Sequence, residues 1–376
     1  MAKKKRKMLP KNFEELIKAG DIAALKAAFD ECELDARGGY DKRTALHFRG
    51  VPEELARWLV GQGLDVNTVT NTYKKTPLHE QAFSSDTVKW LLELGADIEA
   101  TDSSGNTPLH DAAGLYHRAD TVQTLIVHGA NIHAENCSKE TPLSYALARC
   151  ANIDICETAE VAALLLGVGA KITPDMSKSI RRIGKDFEFH RENFNKDYLA
   201  ETDAGLARLY ELFDVEAVAE RRTHDGVLPI IVTATKWQDQ HQELWELLVP
   251  SQGAAKTVQG EVIRITGRVS DEMHRNGGIN WDADYRKMLD ALLRYLAIGA
   301  PPPRSILRTL KDALSRQPAT DALLSAEELA EAAALVAAIR PKGEGEDEPR
   351  RLCELAVKWV LANPNPIPLE KPDYKR

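Results

Sequence analysis

The sequence predicts an all-α protein in which a solenoid of helical hairpins is followed by an α-helical C-terminal domain. A motif that starts with threonine recurs four times in the first half of the chain, which is typical of a solenoid. The second half lacks this motif but carries apolar residues at helical spacing. One run, GVLPIIVTATKW, has a β-like composition, but Pro229 inside it argues against a central strand. We expect a buried extended segment or a short helix there.

The composition is that of a soluble protein with more than one domain. The chain has 376 residues, which is more than one core usually organises. Its formal net charge of −8 argues against a general nucleic-acid-binding protein, because phosphate contacts need a basic face. No apolar run is long enough to span a membrane, and no signal peptide is evident. We therefore expect a cytoplasmic protein with no membrane partner.

The N-terminus, MAKKKRKM, is strongly basic. Such a cluster is typical of a nuclear import signal or of a tail that contacts phosphates, and also of a solvated, disordered end. We predict a basic disordered tail over residues 1–9.

Each position of the repeated motif has a mechanical role. The motif reads Thr-Pro-Leu-His in its most regular form, and its copies start at Thr44, Thr76, Thr107 and Thr141. Threonine is a good N-cap residue, proline suits the first helical position, and leucine is expected to pack inward. A helical apolar stripe follows, and a glycine such as Gly95 or Gly129 can end the second helix.

The threonines are spaced by 32, 31 and 34 residues, and the motif resembles the ankyrin repeat, a β-turn followed by two antiparallel helices. The resemblance covers residues 10–175 as an N-terminal cap plus four repeats, so the fold class becomes an ankyrin-repeat solenoid followed by an α-helical domain. It implies that the motif histidines bond backbone groups between repeats. It also implies that turn tips and first helices line a concave groove in which partner proteins bind.

The predicted binding residues lie on these tips and first helices. Two positions before the threonine, where the family commonly has glycine, the chain has Lys42, Lys74 and Lys139, and glycine once as Gly105. A lysine at a positive φ is strained, so the backbone conformation does not explain why lysine occupies three of these four positions. We predict a groove for a protein with an acidic surface; the alternative is that the lysines serve only solubility. The predicted lining residues are Tyr40, Lys42, Arg43, Tyr73, Lys74, Lys75, Phe83, Leu115, Tyr116, Lys139 and Arg149.

The second half is predicted to hold a helical domain over residues 176–340. An acidic linker, a last helix and a Pro-rich tail follow over residues 341–376. A capping box at Ser325 and Glu328 marks one helix start. The stretch from WELLVPSQ to DYRKML is similar to a segment of uncharacterised bacterial proteins, which implies a bacterial origin and no particular activity.

No catalytic or cofactor-binding motif is evident, so we expect no enzyme activity, no cofactor and no metal site. The alternative is an enzyme of unknown type with a site in residues 200–300, whose polar candidates are His224, Asp225, Glu261, Arg264 and Asp282. A turn explains the Asp-Gly of this set equally well, and Asp282 suits an N-cap. Five cysteines without a C-x-x-C pair indicate reduced thiols, since Cys150 and Cys156 alone are too few for zinc.

These observations favour a protein–protein interaction module that binds its partner through the ankyrin groove. We predict a bacterial regulator, an antitoxin or an immunity-type neutralising protein. A further alternative is a nucleic-acid-associated protein that uses KKKRK and the tip lysines, which the acidic net charge disfavours. We expect that replacing Lys74 and Lys75 by glutamate slows association with an acidic partner and leaves the melting temperature nearly unchanged.

Overall fold

The computed structural model describes residues 5–298 and 324–375. Within these ranges it confirms the all-α class, because helices form nearly all of the regular structure and the two strands are short. The chain divides into two compact units. Of the described residues, the first unit draws on 5–187 and 194–218, and the second on 188–193, 219–298 and 324–375. Each unit has a hydrophobic core of its own.

The first unit opens with a helical hairpin between two paired strands. Its elements are, in order, β1 (Arg6–Met8), α1 (Phe13–Ala19), α2 (Ile22–Glu31) and β2 (Cys32–Arg37). The strands run parallel, and Arg6 is the register partner of Cys32. This segment corresponds to the predicted N-terminal cap.

The basic N-terminus is partly ordered, in contrast to the disordered tail predicted over residues 1–9. Residues 6–8 form β1, and Met1–Lys4 lie outside the described residues. The Leu9 side chain is buried, and the Arg6 guanidinium pairs with the Glu31 carboxylate at 2.8 Å. These tertiary contacts fix the strand, and a charge count along the sequence could not predict them.

Four repeats follow, each with a first helix and a second helix. They are the 3₁₀ turn Ala45–His47 with α3 (Glu53–Gly61), α4 (Pro77–Glu80) with α5 (Ser85–Glu93), α6 (Pro108–His110) with α7 (Ala119–Val127), and α8 (Pro142–Arg149) with α9 (Ile155–Gly167). A π-helical turn, Asp111–Leu115, continues α6, and a 3₁₀ turn, Asn152–Asp154, precedes α9. As predicted, the motif threonine is the N-cap residue of every first helix.

The motif histidines join each repeat to the next. The backbone N–H of Thr44 donates to Nδ1 of His47, so the ring proton resides on Nε2, and Nε2 donates to the Lys75 carbonyl at 3.1 Å. The same two bonds recur in the second and third repeats. In the fourth repeat, Oγ of Ser144 accepts the Thr141 N–H at 2.8 Å. The inter-repeat role expected of the histidines is confirmed.

A helix pair without the repeat motif completes the first unit. Helices α10 (Pro174–His190) and α11 (Lys196–Leu212) follow the fourth repeat, and α11 packs on α9. Gly205 permits this approach, since a Cβ there would lie 3.0 Å from Cα of Cys156. Ile180 on α10 is buried in the same core as the repeats. The first unit therefore extends beyond the boundary predicted at residue 175. Helices α10 and α11 form a C-terminal cap that is recognised by its burial against the repeats and has no sequence motif of its own.

Among its described residues, the second unit contains the 3₁₀ turn Arg191–Asn193 and five complete α-helices. The helices are α12 (Trp237–Leu248), α13 (Val258–Asn276), α14 (Ala283–Leu296), α15 (Ala326–Ile339) and α16 (Glu348–Ala362). Helix α13 packs against α12, α14 and α16. The predicted capping box is confirmed at the start of α15, where Oγ of Ser325 accepts the Glu328 N–H at 3.2 Å.

In the β-like run, residues 226–236 form neither a strand nor a helix, and Trp237 begins α12. Ile230 is buried, and its N–H donates to the Pro364 carbonyl at 2.7 Å. Val227, Leu228 and Ile231 are exposed. The expected burial is thus complete at Ile230 and partial at Val232, which packs against the same core.

The Pro-rich end of the chain forms an ordered strap over residues 363–375. The side-chain amide of Gln259 on α13 donates to the Asn363 carbonyl at 2.9 Å. Near the end of the strap, Tyr374 is buried, and its hydroxyl donates to the Glu261 carboxylate at 2.6 Å. The strap therefore belongs to the packing of the second unit.

Candidate functional site

The surface made of the turn tips and the first helices of the repeats, where the resemblance placed the binding groove, is hereafter called the groove face. The four positions two before each motif threonine share one backbone conformation: φ is 53° at Lys42, 54° at Lys74, 77° at Gly105 and 62° at Lys139. All four lie in the left-handed region, which a residue with a Cβ adopts at a free-energy cost. The lysine side chains are exposed. The positive φ that the family resemblance implied is therefore present at every tip.

Successive tips are tied together by hydrogen bonds. The Asp41 carboxylate accepts the Thr72 N–H at 2.6 Å, and the Tyr73 carbonyl accepts the Ser103 N–H at 2.8 Å. Burial alone would raise the pKa of Asp41, but bonds from Thr70 and Thr72 outweigh it and lower that pKa to about 2. The tips thus form one continuous edge. It presents Tyr40, 93% exposed, and Tyr73, 53% exposed.

Arg43 and Lys75, two further basic residues of the predicted groove lining, form ion pairs with the next repeat. The Arg43 guanidinium lies 3.1 Å from the Glu80 carboxylate, and the Lys75 ammonium lies 2.7 Å from the Asp111 carboxylate. In both cases the residue before the motif threonine reaches the residue after the motif histidine of the next repeat. The equivalent residue of the third repeat, Asn106, donates its amide to the next repeat as well.

The Lys75–Asp111 pair is removed from solvent. The Lys75 side chain is 16% exposed and the Asp111 side chain 0%. Burial would lower the pKa of Lys75, but the Asp111 carboxylate raises it above the usual lysine value. The charge of Lys75 is therefore compensated within the stack. Lys75 contributes to the groove face mainly by holding two repeats together.

Phe83 and Tyr116, predicted separately, lie in one cluster. Their rings meet edge to face with centroids 5.8 Å apart. The guanidinium of Arg49 lies 4.4 Å from the Phe83 centroid and 5.6 Å from the Tyr116 centroid, which is cation–π geometry. In the described chain no carboxylate lies within ion-pair distance of Arg49. Arg49, Phe83 and Tyr116 are hereafter the aromatic platform.

The sequence pattern did not indicate Arg49 as a residue of the groove face, and the reason is geometric. It lies five residues after Thr44, whereas Phe83 lies seven after Thr76 and Tyr116 nine after Thr107. The first helices differ in length, so counting from the threonine does not align these positions. The sequence FRG directly after the first motif indicates that the first helix ends early, and this is the feature from which the position of Arg49 could have been predicted.

The π-helical turn places Tyr116 beside Phe83. Within it, the Tyr116 N–H donates to the Asp111 carbonyl at 2.9 Å. Gly114 allows the turn to approach the fourth repeat, since a Cβ there would lie 2.3 Å from Cδ1 of Tyr145. Leu115, next to the platform, is 48% exposed. Leu115 and Tyr116 of the third repeat are thereby grouped with Phe83 of the second repeat, whereas Tyr40 and Tyr73 lie on the tips.

Arg149 extends the groove face at the fourth repeat. Its guanidinium lies 3.5 Å from the Tyr145 ring centroid and 3.5 Å from the Glu140 carboxylate. Lys139 forms an exposed ion pair of 3.5 Å with Glu135. Both cations therefore have local partners, and both remain accessible.

The polar residues suggested for an enzyme in residues 200–300 have structural contacts. Asp225 accepts the Val227 and Leu228 N–H groups and so shapes a turn. Asp282 caps α14, as the sequence indicated. Glu261 and Arg264 form a fully buried ion pair of 2.6 Å.

His224 lies beside Asp225 with Nδ1 3.7 Å from its carboxylate, and the same nitrogen accepts the Gly226 N–H at 3.0 Å. Within residues 5–298 and 324–375, no group of three or more His, Cys, Asp or Glu side chains is arranged to hold a metal ion. All five cysteines are free thiols. In the same residues no helix has the length and apolarity to cross a lipid bilayer.

Comparison with known proteins identifies the repeats. A family model described as ankyrin repeats (three copies) matches residues 44–136 and 81–174. Residues 44–174 of this chain are therefore ankyrin repeats, the class of domain that the motif resembled. Ankyrin repeats point to a protein–protein interaction module. No curated protein matches the chain.

Proposed function

We propose that this chain is a binding protein without catalytic activity, which holds a partner protein on the groove face of its ankyrin repeats. The observation that carries the proposal is the row of Lys42, Lys74 and Lys139, exposed side chains on a strained left-handed backbone. Each lysine costs on the order of 1 kcal/mol relative to glycine. Because a strained lysine occurs at three equivalent positions, we infer that these lysines have a role in recognising the partner.

Gly105, the one glycine in the row, is explained by packing. A Cβ at this position would lie 2.8 Å from the backbone nitrogen of Cys137 in the next turn. This close approach excludes a side chain at the third tip. The chain therefore carries a lysine at each tip that has space for one.

The charge of the groove face favours an acidic partner. In the described part of the chain, Lys42 and Lys74 form no ion pair, and the pair of Lys139 with Glu135 is exposed and therefore weak. An acidic surface opposite these lysines would raise the association rate more than the affinity. The partner class is thus a protein with clustered carboxylates.

We also infer that the partner is occluded rather than altered, as by a regulator, an antitoxin or an immunity-type protein of a bacterial cell. The structural contacts of Asp225, Glu261 and Asp282 support this mode, because none of the three is left as an uncommitted polar group in a cleft. A toxin or effector encoded beside the gene would be the first target to assay. Its activity should fall in proportion to the amount of chain added. Undiminished activity within a formed complex would rule out neutralisation but not binding.

The experiment that tests the proposal compares two triple variants of the full chain. In one, Lys42, Lys74 and Lys139 become glycine; in the other, they become glutamate. The partner is first isolated by affinity capture from the native host, and its association rate is then measured by surface plasmon resonance. We expect slower association for the glycine variant and a further decrease for the glutamate variant. Equal association rates for all three proteins would show that the row has no part in recognition.

A further inference from the structure

The aromatic platform holds a cation in a fixed and accessible position. The Arg49 guanidinium rests against two rings contributed by the next two repeats. A guanidinium that stacks through its face keeps its N–H donors in the plane at its edge. Stacking also restricts the side chain before any partner arrives, which reduces the entropy lost on binding.

The surroundings of the platform carry one positive charge in excess. Burial raises the pKa of the Tyr116 hydroxyl, with smaller effects from the charges of Lys75, Asp111 and Glu80 and from a side-chain hydrogen bond with Arg49, so the phenol is neutral. Lys75 is paired with Asp111, and Glu80 is paired with Arg43. Of these three cations, Arg49 is the one that has no carboxylate partner among residues 5–298 and 324–375. A single carboxylate balances this charge, whereas a phosphate dianion would leave a negative excess in a partly buried site.

Apolar surface lies next to this charge. Leu115 is 48% exposed, and the Phe83 and Tyr116 rings are partly exposed. A ligand that paired only with the Arg49 guanidinium would leave the apolar surface of Leu115 and of the two rings exposed to water. A ligand with an apolar side chain beside its carboxylate would use both features, and aromatic and arginine residues are the usual centres of binding energy in interfaces.

We propose that the aromatic platform binds a segment of the partner protein in which an Asp or Glu lies next to an aromatic or large aliphatic residue. The carboxylate pairs with the edge of the Arg49 guanidinium, and the apolar side chain covers Leu115 and the Phe83 and Tyr116 rings. This inference rests on the proposed function, since it specifies which chemistry the groove face selects. It adds a short-range specificity element to the long-range charge of the tip lysines.

The test is a selection of random dodecapeptides displayed on phage against the full-length chain. Peptides with Asp or Glu adjacent to Phe, Tyr, Trp, Leu or Ile should be enriched over the input library. A synthetic peptide from that set should bind at least tenfold more weakly to Arg49→Glu. Replacing its carboxylate residue by lysine should restore binding to Arg49→Glu and weaken binding to the wild type. Absence of this motif among the selected peptides would overturn the inference.

Two controls separate the possible failures. Lys18→Glu makes the same charge reversal on an exposed position of α1 and should bind the peptide normally. Arg49→Lys keeps the charge but loses the planar stack, and should weaken binding several-fold with an unchanged melting temperature. If peptide binding is lost in the triple glycine variant but unaffected in Arg49→Glu, the platform inference is overturned and the groove proposal stands. If neither variant affects binding, both are overturned. A nucleic-acid oligonucleotide that competes with the peptide would also overturn the platform inference.

Discussion

The Lys75 ammonium and the Asp111 carboxylate lie 2.7 Å apart in successive repeats, and the carboxylate has no exposure to solvent. Oδ1 of Asp111 is buried without a hydrogen-bond partner in the described chain, so Lys75 provides most of the compensation for this charge. A buried charge that loses its partner is strongly destabilising. Lys75, although it lies on the groove face, therefore contributes to the stability of the repeat stack through its pair with Asp111.

Lys75→Met should reduce the free energy of unfolding by about 3 kcal/mol, because it leaves the Asp111 charge buried and unpaired. The double variant Lys75→Met with Asp111→Leu should recover most of that loss. Guanidinium denaturation of the full chain measures both. A loss below about 0.5 kcal/mol for the single variant would show that Asp111 is solvated or protonated in the folded protein. From the sequence we expected Lys74→Glu with Lys75→Glu to leave the melting temperature nearly unchanged. Because Lys75 pairs with Asp111, we now expect this only for Lys74→Glu.

Lys74→Gly should stabilise the first unit by roughly 1 kcal/mol, because φ is 54° at this position and glycine adopts that conformation without a Cβ clash. Gly105→Ala is the matched opposite change. It should destabilise by more than this amount, since its Cβ would meet the Cys137 backbone nitrogen at 2.8 Å. Differential scanning calorimetry should show melting temperatures shifted in opposite directions. Shifts of the same sign would contradict the backbone account of the tips.

The stack should lose stability as the pH falls from about 6.5 towards 4. Burial lowers the pKa of His47 and of His79 to about 4, despite the opposing bonds to the Lys75 and Asn106 carbonyls. The folded state therefore binds fewer protons than the unfolded state in this interval, and each histidine accounts for about 3 kcal/mol when the interval is complete. Stability is full above the unfolded pKa and decreases as acid protonates the unfolded chain.

Denaturation midpoints at pH 7, 6, 5 and 4.5 measure this dependence. His47→Ser with His79→Ser is the control, because Ser144 already accepts the threonine N–H in the fourth repeat. The control should be less stable at pH 7 and should have a shallower pH dependence. An equally steep dependence in the control would assign the acid sensitivity to carboxylates instead.

Tyr374→Phe should destabilise the second unit by about 1–2 kcal/mol. The change removes the 2.6 Å bond to Glu261 and leaves that fully buried carboxylate with one donor fewer. Lys375→Ala is the control, since Lys375 bonds Asp284 through its backbone N–H alone. It should change the unfolding free energy by less than about 0.5 kcal/mol. Equal effects of the two substitutions would show that the strap is bound by its backbone and not by Tyr374.

The sequence predicted the repeats because their structure is determined locally. Threonine, proline and histidine act within one helix start and its neighbour, so a motif of four residues located each hairpin. The α10–α11 cap has no such motif, and apolar residues such as Ile180 indicate burial but not the surface against which they are buried. Sequence spacing alone could not show that the cap packs on the last repeat.

Pairing between repeats also lay beyond the sequence analysis. Lys75 and Lys74 are adjacent in the chain, yet one is neutralised by Asp111 and the other is exposed, because the stacking register decides which side chain faces the next repeat. Arg49 was missed for a related reason, since helix length varies between repeats. The strap depends on Gln259 and Tyr374, whose partners lie more than one hundred residues away in the chain.

Hydrogen–deuterium exchange of the full chain with and without its captured partner tests the central claim most directly. Binding on the groove face predicts that the partner slows amide exchange at the tips around Tyr40, Tyr73 and Lys139 and in the first helices near Phe83 and Leu115. Exchange in α13 and in the strap should be unchanged. Protection confined to the second unit, with free exchange at every tip, would contradict the account.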